Sequence, residues 1–382
     1  MTALLMHGDT ERSAALRHEV PVAIGDPFLF AEVGGRPYVV TSSLEAARVQ
    51  EALPEAEVVD YAELGFHELL QGEATRAEVE LELAVRGVQR IGLHEAVVPG
   101  DFPLAVADRL RAEGITLLVD DRVVAERRRA KSTAELGGIA RAQAAAEAGM
   151  AAAARLLRSA DVHDGMLHHD GRPLEAETVR DALRAACAEH GASCPPDVIV
   201  ASVWQGFGHE PGSGPLPASL PIQIDLWPRD EESACWADMT RTFVVGEVAE
   251  EHREELERQT ELVARVLRET MAAIRPGVTG RELHAATCEA FEAAGYRTQR
   301  TGPGDVPEEG FQFALGHGIG LDLHEAPGLG QLGREPFVVG DVVAIEPGLW
   351  DRHVGGVRFE DLVLVTEDGC ELLTEFPYDL AP

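Results

Sequence analysis

The chain has 382 residues, which exceeds the usual size of one hydrophobic core, so we expect two domains. It carries 66 acidic and 33 basic residues, and the net charge of −33 argues against nucleic acid or an anionic membrane as a partner. Five scattered cysteines without a Cys-x-x-Cys motif argue against a disulfide framework or a zinc–thiolate site. No signal peptide is recognised and no apolar run reaches the roughly 20 residues of a membrane span, so we expect a cytoplasmic protein.

Short apolar segments alternate with helical segments in the first third of the chain, which predicts an α/β domain. The predicted strands are Phe28–Phe30, Tyr38–Val40, Ile91–Leu93 and Ile115–Val119, and the predicted helices are Leu44–Leu53 and Ala77–Val88. The segment contains no nucleotide-binding fingerprint. A capping box, Ser132-Thr-Ala-Glu135, then opens an alanine-rich helix, so we place the domain boundary between residues 1–130 and 131–382.

The second part of the chain repeats one pattern of two helices followed by a strand hairpin. The predicted helices are about Thr133–Ser159 and Glu175–His190, then Glu250–Ile274 and a helix from the capping box at Thr279 to Gly295. The hairpins span about Ile222–Gly246 and Val342–Val365. A repeat of this length predicts an α+β domain with two copies of one unit about a pseudo-twofold axis.

Each hairpin carries two acidic residues at positions where the apolar pattern calls for a core residue. Asp225 and Asp238 lie 13 positions apart in the first hairpin, and Glu346 and Glu360 lie 14 apart in the second. Acidic residues are almost never fully buried without a partner. Four carboxylates that converge on one axis can all be ionised only around metal ions. For the first pair alone, solvent-facing acids on an edge hairpin are the alternative.

Two histidines lie between the two hairpins, after the last predicted helix. His317 is flanked by glycines that permit close approach of backbone and ligand, and an imidazole is a suitable nitrogen donor in a site rich in carboxylates. A regular strand would point His317 and His324 to opposite faces, so the segment Gly318–Gly320 must bend if both serve one site. Packed or surface histidines are the alternative.

These residues together resemble the motifs of the pita-bread metallopeptidases, which include prolidase, aminopeptidase P and methionine aminopeptidase. The resemblance covers about Ala130 to the C-terminus and rests on Asp225, Asp238, Thr240-Arg-Thr, Gly316-His317-Gly, His324-Glu-Ala-Pro, Ile345-Glu346-Pro-Gly and Val357-Arg-Phe-Glu360-Asp. The first domain is similar in size and texture to the N-terminal domain of prolidase, aminopeptidase P and creatinase. Methionine aminopeptidases generally lack such a domain, which disfavours that branch.

The resemblance implies a centre with two divalent metal ions, Mn²⁺, Co²⁺ or Zn²⁺. It implies that Asp225 binds one ion, that His317 and Glu346 bind the other, and that Asp238 and Glu360 bridge the two. Such a centre activates a water that attacks the scissile carbonyl.

Further roles follow from the same resemblance. Glu346 would also shuttle a proton, and His324 would hydrogen-bond the carbonyl oxygen of the substrate. His209, in the loop Gly206–Pro215, would contact the scissile nitrogen, with an exposed loop histidine as the alternative. Arg358 shares a strand face with Glu360 and would contact a bridging carboxylate.

Two positions depart from the family pattern. The acids of the first hairpin are 13 apart where the family spacing is usually 11, so the turn after Leu226 is longer. Phe313 stands where prolidases and aminopeptidases P usually have a further histidine, which bears on recognition of the proline side. Arg334 is the cation between His324 and Glu346 that could bind the carboxylate of a dipeptide, although it could equally be a solvated loop residue.

The predicted function is metal-dependent hydrolysis of Xaa-Pro bonds by a homodimer, with dipeptides as the favoured peptide substrates. The alternatives are an aminopeptidase P-like enzyme for longer peptides, a metal-free creatinase-like hydrolase, a peptide-binding module, or removal of methionine from nascent chains.

Overall fold

The structure is a computed structural model that describes residues 3–202, 205, 208–302, 304 and 309–382. It divides into two compact units, Met1–Arg128 and Arg129–Pro382, close to the boundary after residue 130 that the sequence predicts. Among the described residues, no helix combines the length and the apolar character that crossing a bilayer requires.

The first unit is built on a six-stranded sheet with helices on both faces. Its strands are β1 (Ala3–Gly8), β2 (Phe28–Val33), β3 (Arg36–Thr41), β4 (Glu57–Asp60), β5 (Glu95–Val98) and β6 (Thr116–Val119). Its helices are α1 (Ala14–Glu19), α2 (Ala46–Ala52), α3 (Phe66–Leu69), α4 (Arg76–Ile91), α5 (Leu104–Ala112) and α6 (Asp121–Arg129), with a 3₁₀-helix at Tyr61–Leu64. The order is β4-β3-β2-β1-β5-β6, and all strands except β2 run in one direction, so the predicted α/β fold is confirmed.

The predicted strand at Ile91–Leu93 is wrong. Ile91 is the last residue of α4, and Gly92 caps that helix in the left-handed conformation at φ 80°. The strand begins later, at Glu95. Ile91 follows Val88 and Leu83 at helical spacing, and this periodicity prevails over its β propensity because α4 packs that stripe against the sheet.

The second unit contains the repeated pattern in the predicted order. Its first half comprises α7 (Thr133–Arg158), β7 (Asp161–His163), β8 (Met166–His169), β9 (Arg172–Pro173), α8 (Ala176–Glu189), β10 (Ala192–Ser193), β11 (Ile199–Ser202), β12 (Ile222–Leu226), β13 (Arg229–Asp230) and β14 (Met239–Phe243). Its second half comprises α9 (Glu250–Ala273), α10 (Gly280–Ala293), β15 (Gly316–Gly318), β16 (Glu325–Leu329), β17 (Val342–Ile345), β18 (Gly348–Asp351), β19 (Gly355–Arg358), β20 (Asp361–Val365) and β21 (Cys370–Leu372). Both predicted capping boxes form, at the starts of α7 and α10.

Each half has its own core and its own sheet. In the first half, α7 and α8 pack on the sheet β11-β12-β14, and in the second half α9 and α10 pack on β16-β15-β17-β20-β21. The predicted second hairpin is divided: β17 pairs with β20, whereas β18 pairs with β19 in a separate ribbon. Glu346 and Glu360 lie at the two interruptions, each directly beside a strand end.

Candidate metal centre

Strand geometry brings the four predicted carboxylates together. Asp225 lies within β12, between the buried residues Ile224 and Leu226, and Asp238 directly precedes β14. Glu346 follows β17 and Glu360 precedes β20. The two hairpins are joined backbone to backbone, because the Glu360 amide donates to the Thr240 carbonyl at 3.1 Å.

The side-chain donor atoms of these acids lie within coordination reach of one another and of His317. The sets Asp225–Asp238–Glu360 and His317–Glu346–Glu360 each place one donor atom per residue within 4.8 Å of the others. His317 Nε2 lies 3.6 Å from Asp238 Oδ2. The five residues that the sequence predicts as metal ligands therefore occupy one place in the structure.

The acid cluster has more hydrogen-bond acceptors than donors. Asp225 Oδ1 and Glu360 Oε1 are shielded from solvent and accept no hydrogen bond from any group in the described part of the chain. Buried carboxylate oxygens are normally paired, so these two atoms need a further cation. Their surroundings fit divalent metal ions, since oxygen ligands with one imidazole are a typical set for Mn²⁺, Co²⁺ or Zn²⁺.

Burial and mutual repulsion raise the pKa of three of these acids. Burial and the neighbouring charges of Asp225 and Glu346 raise the pKa of Asp238 well above its ordinary range. Burial and the charge of Asp238 do the same to the pKa of Glu360. Burial also raises the pKa of Glu346. Without a metal ion the cluster therefore retains protons that bound cations would displace.

Arg358 is the cation within the cluster, but it does not bind the acid that the sequence suggests. Its guanidinium contacts Asp225 through Nη2 and lies 3.5 Å from Glu346 through Nη1, so the predicted contact with a bridging carboxylate, Asp238 or Glu360, is replaced by these two. Arg358 belongs to the β18–β19 ribbon, whereas Glu360 directly precedes β20 of the larger sheet, so the two side chains do not share one regular strand. Thr240 links the two groups, since its hydroxyl donates to Glu360 at 2.7 Å and accepts from Arg358 Nε at 3.2 Å.

The chain bends after His317, as it must if the two histidines are to serve one site. The β15–β16 pairing shifts register after His317, and the rings of His317 and His324 meet edge to face at 4.2 Å between centroids. His317 Nδ1 lies 3.0 Å from the Gly318 carbonyl, to which an Nδ1–H donates, and this leaves Nε2 free for a metal. Burial and the neighbouring His317 lower the pKa of His324 to about 4, so His324 is neutral at pH 7.

A cavity of about 360 Å³ opens onto the cluster. His209, His324, Glu346 and Arg358 line it, together with the aromatic rings of Phe313 and Trp350. The Phe313 ring packs against Phe311 at 4.9 Å and lies 5.8 Å from the Arg358 guanidinium. His209 is exposed at the cavity, while Gly206 and Phe207 of the same predicted loop lie outside the described residues. The position of Phe313 is thus an apolar wall of the cavity.

Arg334 is not brought to this cavity. It is exposed and lines a separate pocket with Arg281 and Arg300. Of the described residues lining the cavity at the cluster, Arg358 is the one arginine, and no lysine is among them. A substrate carboxylate therefore finds no free arginine or lysine in the described wall of the cavity.

The longer turn of the first hairpin has a structural explanation. The turn contains β13, which pairs with β10. Asp230 in β13 accepts two hydrogen bonds from Arg141, at 2.9 and 2.8 Å, and one from the Ser233 hydroxyl at 2.6 Å. The turn is thus anchored to α7, and Asp225 and Asp238 lie together in the acid cluster.

Sequence reasoning missed one buried ion pair near the site. Lys131 bonds to Glu325, the residue after His324, and both side chains are shielded from solvent. The pair links the start of α7 to the segment that carries His324. A lysine directly before a capping box gives no sign of its partner, because that partner lies 194 positions further along the chain.

Comparisons with known proteins identify relatives of the second unit. The profile of Metallopeptidase family M24 matches residues 137–367. Among curated proteins, the Xaa-Pro dipeptidase of Pyrococcus furiosus is 38% identical over 144 residues, which are 38% of this chain and 37% of that protein. The Xaa-Pro dipeptidase of Pyrococcus horikoshii is 33% identical over the same length. The chain thus spans little more than a third of the length of these relatives.

Solved structures match nearly the whole chain. The Xaa-Pro dipeptidase from Bacillus anthracis gives a TM-score of 0.78 at 22% identity, over 99% of this chain and 94% of that one. The X-Pro aminopeptidase from Thermotoga maritima gives 0.77 at 20% identity, over 99% and 97%. These likenesses confirm the predicted fold, an α/β domain followed by a pita-bread domain.

Proposed function

Because the chain belongs to Metallopeptidase family M24, we propose that it hydrolyses Xaa-Pro peptide bonds with two divalent metal ions, with dipeptides as its favoured substrates. The observation that carries the proposal is the surplus of acceptors in the acid cluster, where Asp225 Oδ1 and Glu360 Oε1 have no partner among the described residues. The names of the relatives from two Pyrococcus species support the proline specificity and the dipeptide length.

The five proposed ligands have different roles in the centre. Asp225 would hold one ion, His317 and Glu346 would hold the other, and Asp238 and Glu360 would contact both. The ions, Mn²⁺, Co²⁺ or Zn²⁺, would supply an activated water and polarise the scissile carbonyl. Arg358 would hold Asp225 in place, and Thr240 would orient Glu360 through its 2.7 Å hydrogen bond.

The remaining residues of the site would handle protons and orientation. Glu346, whose pKa is raised by burial, would accept a proton from the attacking water and pass it to the leaving nitrogen. His324, neutral at pH 7 because its pKa is lowered to about 4, would donate a hydrogen bond to the carbonyl oxygen as negative charge develops. His209 at the edge of the cavity would contact the scissile nitrogen. The Phe313 ring would form the apolar surface for the proline ring.

One observation favours a second function, an Xaa-Pro aminopeptidase for longer peptides. A dipeptide ends in a carboxylate directly after the proline, and a carboxylate beside an acid cluster needs a cationic partner. The one arginine in the described cavity wall, Arg358, already contacts Asp225 and Glu346. A longer peptide would place an uncharged amide there, which needs no cationic partner.

Hydrolysis of Ala-Pro and Ala-Pro-Ala by one preparation tests both functions. The protein would be purified without chelator, assayed for bound metal, then stripped and reloaded with Mn²⁺, Co²⁺ or Zn²⁺ in turn. Ala-Ala serves as the control substrate. Faster cleavage of Ala-Pro supports the dipeptidase, and faster cleavage of Ala-Pro-Ala supports the aminopeptidase. Equal cleavage of Ala-Ala, or full activity after stripping, would contradict both. The cytoplasmic location and the homodimer remain expectations that fractionation and sedimentation would check.

A further inference from the structure

The first unit contains a cavity of its own, with a volume of about 670 Å³. All its lining residues lie between His7 and Ala84, so it is distinct from the acid cluster. Sites for small molecules usually measure about 300–1,000 Å³. This cavity therefore has the size of a ligand site.

The cavity lies where an open α/β sheet usually binds ligands. His7 is near the carboxyl end of β1, Ser42 follows β3, and Tyr61 follows β4. Because these strands run in the same direction, the three residues lie at one edge of the sheet. Crevices outside the carboxyl ends of parallel strands are the recurrent ligand sites of such sheets.

The floor of the cavity is one row of the sheet. His7 pairs with Leu29 in β2, Leu29 pairs with Val40 in β3, and Val40 pairs with Val59 in β4. Helix α4 covers part of this row with Val79, Leu83 and Ala84. Further along α4, the helix approaches the sheet closely, since a Cβ added to Gly87 would meet Val40 at 3.2 Å. The helix therefore lies directly against the sheet at Gly87.

His7 is the exception in this apolar row. Its Nδ1 is shielded from solvent and has no hydrogen-bond partner within the described residues. Burial lowers the pKa of His7 although Glu80 opposes the effect, so the imidazole is neutral. A leucine at this position would fill the row without a buried unpaired nitrogen, and such departures from a consistent local pattern are expected at functional positions.

The charges around the cavity select against anions. Arg76 contacts Glu80 at 2.7 Å and Asp26 at 3.3 Å, so its charge is engaged by two carboxylates and one negative charge is left over. Leu44 and Leu70, which are 82% and 59% exposed, add apolar surface to the wall. A ligand with an apolar body and no negative charge suits this lining.

We propose that the cavity binds a small, uncharged, mainly apolar molecule that carries one hydroxyl or carbonyl oxygen. The side chains of Leu29 and Val40 and the rings of Tyr61 and Phe66 would surround the apolar body. His7 would hydrogen-bond the oxygen through Nε2, since Nδ1 is the ring nitrogen that is sealed. This site is independent of the proposed peptidase activity.

Equilibrium dialysis of the full chain with three probes of one shape tests the proposal. 2-Naphthol carries a hydroxyl, naphthalene has no polar group, and 2-naphthoate is an anion. We expect 2-naphthol to bind tightest, naphthalene about fivefold more weakly because one hydrogen bond is lost, and 2-naphthoate at least about tenfold more weakly because of the surplus negative charge. No binding of 2-naphthol at millimolar concentration, or tightest binding of 2-naphthoate, would overturn the proposal.

Two tryptophan variants locate the binding. Ala74 lines the cavity and is exposed, so Ala74→Trp should obstruct it and weaken 2-naphthol at least about tenfold. Ala77 is exposed at the start of α4 and does not line the cavity, so Ala77→Trp should stay within about twofold of the wild type. Equal affinity of the two variants would overturn the assignment. In a third variant, His7→Phe, 2-naphthol should bind no better than naphthalene, and a retained preference for 2-naphthol would remove His7 from the site.

Discussion

Two buried arginines, Arg241 in β14 and Arg358 in β19, have opposite surroundings. All five N–H donors of Arg241 are used: it bonds to Asp361 at 2.8 Å and to the carbonyls of Thr240, Glu360, Phe376 and Pro377 at 2.8–2.9 Å. The other carboxylate oxygen of Asp361 accepts a hydrogen bond from the Tyr378 hydroxyl. Arg358 instead faces an excess of carboxylates, of which Asp225 and Glu360 each keep one oxygen without a partner among the described residues.

The difference separates a structural polar network from a ligand site. Glu360 and Asp361 are neighbours in sequence and both are buried acids, yet strand alternation points them to opposite faces. On the Asp361 face every polar atom of the ion pair has a partner, so the network is complete without a ligand. On the Glu360 face the acceptors outnumber the donors, and a cation from outside the chain would complete it.

We expect the largest effect from substituting an acid of the metal centre, with a buried acid of the other face as the control. Glu360→Gln or Asp238→Asn should remove bound metal and lower kcat/KM by more than about 10³-fold, because each acid is proposed to bridge both ions. Elemental analysis and the Ala-Pro assay measure the two effects. Asp361→Asn is the matched control and should keep its metals. Two ions per chain with normal turnover in Glu360→Gln would contradict the assignment.

The second effect concerns the complete network. Arg241→Met should lower the free energy of unfolding by about 3–5 kcal/mol, because it leaves Asp361 as a buried charge without its partner. Urea unfolding measures the loss. The double variant Arg241→Met/Asp361→Leu should recover only part of it, since no lone charge remains but four carbonyls still lack the donors of Arg241. A single variant as stable as the wild type would show that the pair does not hold this face together.

The third effect concerns a group of the site that is not a proposed ligand. His324→Ala should lower kcat by about 10²–10³-fold with metal content unchanged, the cost typical of losing one donor to a developing oxyanion. His317→Ala is the comparison variant and should lose metal. If His324→Ala lost its metals as well, His324 would be a ligand and its proposed role would fall.

The two faces were predictable from sequence to different extents. Acids at apolar strand positions, such as Asp225 and Glu360, stand out because burial of a carboxylate needs a cause. The helices of the second unit were predictable because their capping boxes and glycine stops are local signals. Asp361 has the same chemistry as Glu360 and is the next residue in the chain, so its different role could not be recognised before its partner was known.

Partners distant in sequence account for what sequence reasoning missed. The contact of Arg358 with Asp225 spans 133 positions and depends on β19 pairing with β18 in a ribbon of its own, which no local pattern encodes. The strand β13 exists because β10 offers an edge to pair with. Ile91 was assigned to a strand because a short apolar segment is ambiguous until its packing against the sheet is known. His7 looks unremarkable in a strand until the apolar row beside it is seen.

A smaller effect should appear in the pH dependence of metal-free protein. Burial and mutual repulsion raise the pKa of Asp238 and Glu360 above their ordinary values of 3.8 and 4.5, so the folded chain binds more protons than the unfolded chain. The contribution of these two groups to stability is therefore fully present below about pH 4 and is lost as the pH rises through their raised pKa values. We expect stability in chelator to fall as the pH rises from about 4 to 8, and no such fall with saturating metal. Urea unfolding along this pH series would contradict the argument if metal-free stability rose with pH.

The smallest effect is expected at a third arginine, Arg334, which contacts neither face. Its side chain is exposed in a pocket with Arg281 and Arg300, and it does not line the cavity at the acid cluster. Arg334→Ala should therefore leave KM for Ala-Pro within about twofold of the wild type, whereas Arg358→Lys should lower kcat/KM because a lysine cannot reach Asp225 and Glu346 together. A large rise in KM for Ala-Pro in Arg334→Ala, without one for Ala-Pro-Ala, would make Arg334 the partner of the dipeptide carboxylate. That result would also place the end of the substrate further from the acid cluster than the cavity lining indicates.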